Sequence, residues 1–218
     1  MSEVVKLERH DDIAIVTVDS PPVNALSAAV RRGILECVQK AIADPAAKAI
    51  VLTCAGRTFI AGADITEFGK PPQPPALSEV ISALENSPKP TIAAIHGTAL
   101  GGGLEVALGC HFRVAVKEAK LGLPEVKLGL LPGAGGTPRL PRAVGPELAV
   151  KMIVGGDPIG AAEALKQGLI EEIVEDLVQG GIAFAKKVLA DKRPLRRLRD
   201  DDSKIKAAKA DRSIFTND

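Results

Sequence analysis

The sequence predicts an α/β domain in which ββα units are stacked into a spiral. Strand, glycine-rich turn and helix follow one another at least twice before the midpoint of the chain, an order typical of layered α/β folds. Residues 48–53 and 90–97 have the apolar, β-branched composition of buried strands. Hydrophobic residues make up 46% of the 218, with five Phe and no Tyr or Trp. Small aliphatic side chains must therefore build the interior, which favours close contacts between backbones.

The first half of the chain begins with a predicted hairpin, whose strands at residues 4–7 and 13–18 flank a polar turn. A helix is predicted over residues 28–43, because Asp44-Pro45 ends the helical pattern. The later elements are, in order, the strand 48–53, a sharp turn leading into a helix at 56–65, a rigid loop at 71–75, a helix at 76–86, the strand 90–97 and a helix at 104–109.

The second half of the chain is mainly helical in pattern. Helical pieces are predicted over residues 160–168 and 169–175, followed by a longer helix over residues 176–191. Beyond this helix the sequence is highly charged and has few apolar residues. We therefore expect a core at residues 1–191 and a charged C-terminal linker or arm at residues 192–218.

Charge and composition exclude several classes of protein. The net charge of +1 provides no field that would attract nucleic acid or a membrane surface. The shortage of aromatic residues argues against stacking on single-stranded bases. No apolar run approaches the ~18 residues of a membrane span, and the N-terminus lacks an apolar signal core. We expect neither nucleic acid nor a membrane as a partner.

The cysteines and histidines do not form a recognisable site. Three scattered cysteines without a C-x-x-C pair indicate a reducing compartment, so we expect a cytoplasmic location. The three histidines are isolated and lack metal-binding spacing, so no metal site is predicted. Cys110 and His111 are interpreted as packed core residues.

A glycine-rich turn before a predicted helix carries the first candidate catalytic residue. Glycines 101–103 place free N–H groups and the positive end of a helix dipole at one point. They allow either the close approach of a ligand or tight packing of strand on helix. Glu105 follows in the first turn, where it either complements the dipole or carries chemistry. Burial of a carboxylate is costly without a partner or a task, which favours chemistry.

Two further segments have similar character. Glu125 follows Pro124 among apolar residues, and residues 130–139 (LLPGAGGTPR) have enough glycine to form a second loop suited to close approach or to starting a helix. Alone, Glu125 would be interpreted as an ordinary loop carboxylate. Residues 58–64 (TFIAGAD) predict a strand-to-helix turn whose N–H groups meet an oxygen, or in which Asp64 merely caps a helix. Each signal is weak singly, but their ordered combination is specific.

That combination resembles the crotonase superfamily, the enoyl-CoA hydratases and isomerases. The resemblance covers about residues 4–191 and is carried by four motifs: PPVNALS, TFIAGADI, KPTIAAIHGTALGGGLEVALGC and LGLPEVKLGLLPGAGGTPRLPR. Within the superfamily, PPVNALS and GLEVALGCHFRVA are most similar to the N-terminal hydratase part of bifunctional enoyl-CoA hydratase/3-hydroxyacyl-CoA dehydrogenases. His111 stands where monofunctional hydratases usually carry an acidic residue.

The resemblance implies a role for eight residues. The amides of Ala63 and Gly102 would bind the thioester oxygen, and Glu105 and Glu125 would act on the two carbons of the double bond. The remaining four would line the path of coenzyme A: Ala61, Asp64 and Ile65 at the adenine end and Ala25 beside the pantetheine.

The implied activity is hydration of trans-2-enoyl-CoA to 3-hydroxyacyl-CoA in fatty-acid β-oxidation. No permanently bound cofactor is expected, since coenzyme A is part of the substrate. The alternatives are a Δ3-Δ2 enoyl-CoA isomerase, another enolate-forming acyl-CoA enzyme and a non-catalytic acyl-CoA-binding protein. An isomerase needs only the carboxylate at Glu125, so the presence of both glutamates favours a hydratase.

The resemblance also implies an assembly. Related hydratases continue into C-terminal helices that cover the acyl pocket and build trimers, whereas bifunctional relatives continue into a nucleotide-binding dehydrogenase. This chain shows neither in full and has a shortened helical C-terminal region. We therefore expect a homo-oligomer such as a trimer, or a part of a larger bifunctional chain.

Overall fold

The computed structural model describes residues 4–211, which form two sheets with helices packed against them. The fold is of the predicted α/β class. Within these residues the strands are β1 (Val5–His10), β2 (Ile13–Val18), β3 (Ala49–Cys54), β4 (Thr91–Ile95), β5 (Thr98–Leu100), β6 (Phe112–Val116), β7 (Lys120–Gly122), β8 (Ile159–Gly160) and β9 (Glu172–Val174).

The larger sheet has six strands in the order β1-β2-β3-β4-β6-β9. Only β1 and β2 pair antiparallel, and the remaining pairs are parallel. Every residue of β3 and β4 is buried, as expected of parallel strands covered on both faces. Alternate residues of these strands therefore belong to two different apolar clusters, one on each face of the sheet.

The helices that cover the sheets are α1 (Ala28–Ala43), α2 (Leu77–Glu85), α3 (Gly102–Gly109), α4 (Gly136–Val144), α5 (Pro146–Gly155), α6 (Ala161–Lys166), α7 (Leu177–Ala190) and α8 (Ser203–Ala210). Helices α1 and α2 pack together on one face of the large sheet, and α2 in turn packs on α3. Helix α7 covers the other face. No helix within residues 4–211 is long and apolar enough to span a bilayer.

The small sheet joins the two motif segments that carry the candidate carboxylates. Strand β5 pairs parallel with β7, with Leu100 opposite Gly122, and β8 pairs antiparallel with β7. The pairing extends beyond the strands, because the Gly101 amide donates to the Gly122 carbonyl over 3.0 Å. The segments that follow β5 and β7 therefore start side by side.

Two sequence predictions of local structure were wrong. Residues 169–175 were expected to be helical, but they contain β9, whose residues pair with β6 at the edge of the large sheet. Pairing with β6 outweighs the weak helical preference of this segment. The helix expected to start at residues 56–65 is only one 3₁₀ turn, Ile65–Glu67, capped by Asp64. By contrast, α1 has the predicted bounds.

The segment beyond α7 lies against the same chain. A 3₁₀ turn at Leu198–Asp200 and helix α8 contact α4, and α8 also contacts α5. Leu198 is fully buried there, and Arg142 pairs with Asp202 over 2.9 Å. The predicted division at residue 191 stays a prediction, and its residues 212–218 lie outside the described part of the chain.

His111 is buried in the core between α2 and β6. Its Nδ1 accepts the Thr91 N–H over 3.1 Å, so the proton lies on Nε2, which donates to the Glu85 carbonyl over 3.1 Å. Burial lowers the pKa of His111 from 6.5 to about 4, against the raising effect of the Glu85 hydrogen bond. The neutral ring is therefore part of the fold, as its sequence context predicts.

We expect His111 to make stability pH-dependent. Its folded pKa of about 4 lies below the usual 6.5, so the unfolded chain binds this proton first, and stability is lost as the pH falls from ~6.5 to ~4. The loss should be about 3 kcal/mol. His111→Gln has no proton to take up at this position, so its stability should not show this loss. The difference between the free energies of unfolding of the two proteins, measured with urea, should therefore change by this amount between pH ~6.5 and ~4. Parallel curves would contradict the assignment.

Candidate active site

The glycine turn before α3 is built by close contacts within the chain. Gly101 has φ of +52°, and a Cβ on Gly103 would collide with the Ile60 carbonyl. Gly103 thus serves the tight packing of α3 on the segment around Ile60. A Cβ on Gly102 would lie 2.9 Å from Leu26 Cδ1 and 3.0 Å from Leu77 Cδ2. Leu26 and Leu77 therefore pack closely against the main chain of Gly102 and leave little room for a side chain there.

The two predicted oxyanion donors lie beside each other. A Cβ built on Gly102 lies 3.9 Å from the Ala63 nitrogen. Ala63 is held there because its strand-like segment bridges to Leu26, whose N–H donates to Gly62 over 2.9 Å. Among residues 4–211 neither the Ala63 nor the Gly102 N–H has a hydrogen-bond acceptor. Gly102 also starts α3, where the helix dipole favours negative charge.

Glu105 is a buried carboxylate with one oxygen held by main-chain amides. Its side chain lies in the first turn of α3 and the residue is 3% exposed. Its Oε1 accepts the Ala134 N–H over 2.7 Å and the Gly136 N–H over 2.8 Å. Its Oε2 has no hydrogen-bond partner in the described chain. One oxygen is therefore an anchor and the other is available to a bound molecule.

Glu125 occupies a different environment. It lies in the 3₁₀ turn Pro124–Leu128 that follows β7, and its Oε1 is 3.1 Å from a Cβ built on Gly101. Its Oε2 is buried and has no partner among residues 4–211. Desolvation by burial raises the pKa of Glu125, and the negative charge of Glu105 raises it further. Glu125 is therefore biased toward the protonated, proton-donating form.

A cleft of about 320 Å³ opens beside Ala63. Leu26 and Leu77 line it together with Phe68, which is 51% exposed. Arg31 forms one wall, with an ion pair to Glu67 over 2.9 Å and hydrogen bonds to main-chain carbonyls. A larger cavity of about 720 Å³ around Phe112 and the arginines of residues 193–197 is lined by none of the predicted site residues.

The four residues predicted along the coenzyme A path differ in position. Asp64 lines the cleft, but its side chain accepts bonds from the hydroxyl and amide of Thr66, which lower its pKa. Ile65 is 71% exposed at the rim. The Ala61 N–H already donates to the Val23 carbonyl. Ala25 precedes the cleft residue Leu26, and Ala61, Ile65 and Ala25 do not themselves line the cleft.

Sequence reasoning missed the residues that hold the site in shape. Residues 130–139 were predicted to allow close approach, yet the specific donors to Glu105, the amides of Ala134 and Gly136, had no sequence signal of their own. Arg31 lies in an ordinary amphipathic helix, and nothing in the sequence linked it to the cleft.

No group of three His, Cys, Asp or Glu within residues 4–211 is placed to hold a metal ion.

A family model of enoyl-CoA hydratase/isomerase matches residues 8–209. Similar proteins include the peroxisomal bifunctional enzymes of Homo sapiens (47% identical over 190 residues) and Danio rerio (45% over 187 residues). These matches cover 86% and 85% of this chain but 26% of each relative. The chain thus spans about a quarter of the length of these relatives. A probable enoyl-CoA hydratase of Bacillus subtilis is 42% identical, covering 80% of this chain and 73% of that protein.

Solved structures give the same result. An enoyl-CoA hydratase from Bacillus anthracis has a TM-score of 0.80 at 33% identity, covering 86% of this chain and 77% of that one. An enoyl-CoA hydratase from Mycobacterium tuberculosis H37Rv also has a TM-score of 0.80 at 33% identity, covering 86% and 76%. The predicted superfamily and the predicted similarity to bifunctional enzymes are therefore confirmed: the chain belongs to the enoyl-CoA hydratase/isomerase family.

Proposed function

We propose that this chain hydrates trans-2-enoyl-CoA thioesters to 3-hydroxyacyl-CoA, a step of fatty-acid β-oxidation. The observation that carries the proposal is the meeting of two unpaired main-chain donors with two carboxylates in unlike environments. Enoyl-CoA hydratases among the similar proteins, which cover most of this chain, support the same activity.

The two amides stabilise the charge that develops during addition. Water that attacks C3 of an enoyl thioester displaces electrons onto the thioester oxygen, which becomes an enolate oxygen. The N–H groups of Ala63 and Gly102 are positioned to donate to that oxygen, and loss of one such donor typically costs ~2.7–4 kcal/mol. Because both donors are free before substrate binds, the site needs no rearrangement to receive the oxygen.

The carboxylates divide the proton transfers. Glu105 Oε2 accepts a proton from the attacking water as the oxygen bonds to C3, and Oε1 stays fixed by its two amides. In the proposed step the protonated form of Glu125, whose pKa is raised by burial, delivers its proton to C2 as the enolate collapses. Exchange of protons with solvent then restores both side chains. Each positioned acid or base contributes roughly 10²–10⁴-fold.

The substrate would be bound through its coenzyme A portion, without a permanently bound cofactor. The cleft beside Ala63 offers apolar walls and the side chains of Arg31 and Lys70, which suit the pantetheine arm and the phosphates. Since the Asp64 carboxylate is occupied by Thr66, Asp64 and Ile65 would contact the adenine end through their main chain. Ala25 and Ala61 would border the same path.

A second candidate activity is Δ3-Δ2 double-bond migration. The unpartnered Oε2 of Glu125 favours it, because one carboxyl group that alternates between proton donor and acceptor is sufficient to move a proton between carbons. We propose this as an accompanying activity of the same site. A non-catalytic acyl-CoA-binding role is disfavoured, because both carboxylates and both free amides are in place.

Assembly and location are also proposals. We propose a homo-oligomer, such as a trimer, or a part of a larger bifunctional chain, since peroxisomal bifunctional enzymes are among the similar proteins. All three cysteines are buried free thiols, which supports a reducing, cytoplasmic location. Light scattering and cell fractionation would test these two points.

Glu105→Ala should abolish hydration and spare double-bond migration. Hydration should fall by roughly 10²–10⁴-fold, because only this reaction needs a base for water. Loss of enoyl-thioester absorbance with crotonyl-CoA measures hydration, and conversion of a 3-enoyl-CoA measures migration. Glu118→Ala, at an exposed position, is the control and should change neither. Equal loss of both activities in Glu105→Ala would contradict the division of roles.

Hydration should also depend on the protonation of Glu125. The pKa of Glu125 is raised by burial, so the proton-donating form persists to higher pH than in an ordinary glutamate. The kcat/KM for crotonyl-CoA should therefore fall as the pH rises through this pKa. Glu125→Gln should be inactive in both hydration and migration across the whole pH range. A wild-type profile without a limb on the alkaline side would count against Glu125 as the acid.

A further inference from the structure

Glu85 is a buried carboxylate outside the catalytic pair. It ends α2 and is 1% exposed. Arg139 of α4 binds it with two nitrogens, Nε over 3.0 Å and Nη2 over 2.6 Å. Arg199, from the C-terminal segment, adds a third contact over 3.3 Å. This bidentate pair fixes the plane of the Arg139 guanidinium.

The same guanidinium reaches the loop that holds Glu105. Arg139 Nη1 donates to the Gly135 carbonyl over 3.3 Å. Gly135 has φ of +113°, and a Cβ at this position would collide with Nη1. The guanidinium therefore packs directly onto the main chain of Gly135, at the N-terminus of α4.

The Gly135 carbonyl and the Gly136 N–H belong to one planar peptide unit. The N–H end of this unit donates to Glu105 Oε1 over 2.8 Å, and its carbonyl end accepts from Arg139. Rotation of the peptide plane would break both bonds together. Hydrogen bonds at the two ends of one peptide also polarise each other. The Gly135 carbonyl also accepts the main-chain N–H of Arg139 over 3.3 Å, so this helix bond and the contacts that start at Glu85 together orient the Glu105 anchor.

We propose that Glu85 and Arg139 are positioning residues for the base Glu105: the ion pair holds the Gly135–Gly136 peptide so that its N–H points at Glu105 Oε1 and leaves Oε2 toward the water. This inference rests on the proposed hydratase function. It assigns the pair an effect on hydration, whereas migration through Glu125 does not depend on it.

A neighbouring ion pair distinguishes positioning from simple bracing of α4. Arg142 lies on the same helix and pairs with Asp202 of the C-terminal segment over 2.9 Å. Its guanidinium binds the Pro138 carbonyl, away from the amides that contact Glu105. Arg142→Lys is therefore the matched control for Arg139→Lys. Both changes keep the positive charge and lose the planar fork.

The experiment compares wild type, Arg139→Lys, Glu85→Gln and Arg142→Lys. We expect kcat for crotonyl-CoA hydration to fall about 10- to 100-fold in the first two variants, as for a small displacement of a catalytic group. The KM and the rate of double-bond migration should stay near wild type. Arg142→Lys should keep both activities. Amide NMR should show the Ala134 and Gly136 N–H signals shifting in Arg139→Lys as they do in Glu105→Gln, and unshifted in Arg142→Lys.

Each outcome decides the proposal. Parallel loss of hydration and migration, or unshifted Ala134 and Gly136 signals in Arg139→Lys, would reduce the pair to a structural brace and overturn the inference. If Glu85→Gln fails to fold, Arg139→Lys, which keeps a cation beside Glu85, gives the answer. If wild type itself does not hydrate crotonyl-CoA, the proposed function fails, while the amide signals still report whether the ion pair orients the loop.

Discussion

The site depends on the pairing of β5 with β7. This short parallel contact continues into the hydrogen bond from Gly101 to Gly122, so the turn that starts α3 and the turn that carries Glu125 leave the sheet together. A side chain at Gly101 would meet the Glu125 carboxylate, and one at Gly103 would meet the Ile60 carbonyl. The glycines are therefore needed because three main-chain segments converge on a space too small for Cβ atoms. Without this contact the two glutamates would be unrelated residues.

The two carboxylates differ because their partners differ. Glu105 is deeply buried, and its Oε1 accepts hydrogen bonds from two main-chain N–H groups, which offset the cost of burying a carboxylate. Glu125 lacks any donor for Oε2 among residues 4–211, and desolvation by burial raises its pKa. Two carboxylates in such different surroundings are suited to a reaction that removes one proton and supplies another. A protein that only binds acyl-CoA would not need two buried carboxylates at this position.

Much of the fold could be predicted from local patterns. The helix at residues 28–43 has clear end signals, and the buried strands β3 and β4 have a composition that fits no exposed element. The strand β9 could not be predicted, because its pairing with β6 is formed by residues more than fifty positions away. For the site, the motifs singled out Glu105, Glu125, Ala63 and Gly102, and the structure brings these four together. Their supporting contacts, such as Arg139 to Glu85, join residues 54 positions apart and depend on three-dimensional neighbours that no spacing rule encodes.

The supporting contacts explain why so many buried polar groups are tolerated around one site. Glu85, Arg139 and Glu105 lie in a largely apolar interior, where an unpaired charge would be strongly destabilising. Each is instead bonded to a charge or to a peptide group, so the chain of contacts is satisfied from Glu85 to Glu105 Oε1. At the site, the groups without a partner among residues 4–211 are the Ala63 and Gly102 amides, Glu105 Oε2 and Glu125 Oε2. Elsewhere in the described chain, His96 Nδ1 and Arg197 Nε are also buried without a partner. In the proposed reaction the two amides would bind the thioester oxygen, Glu105 Oε2 would bind the water molecule, and Glu125 would carry the proton. The proposed reaction would therefore use polar groups that have no partner within residues 4–211.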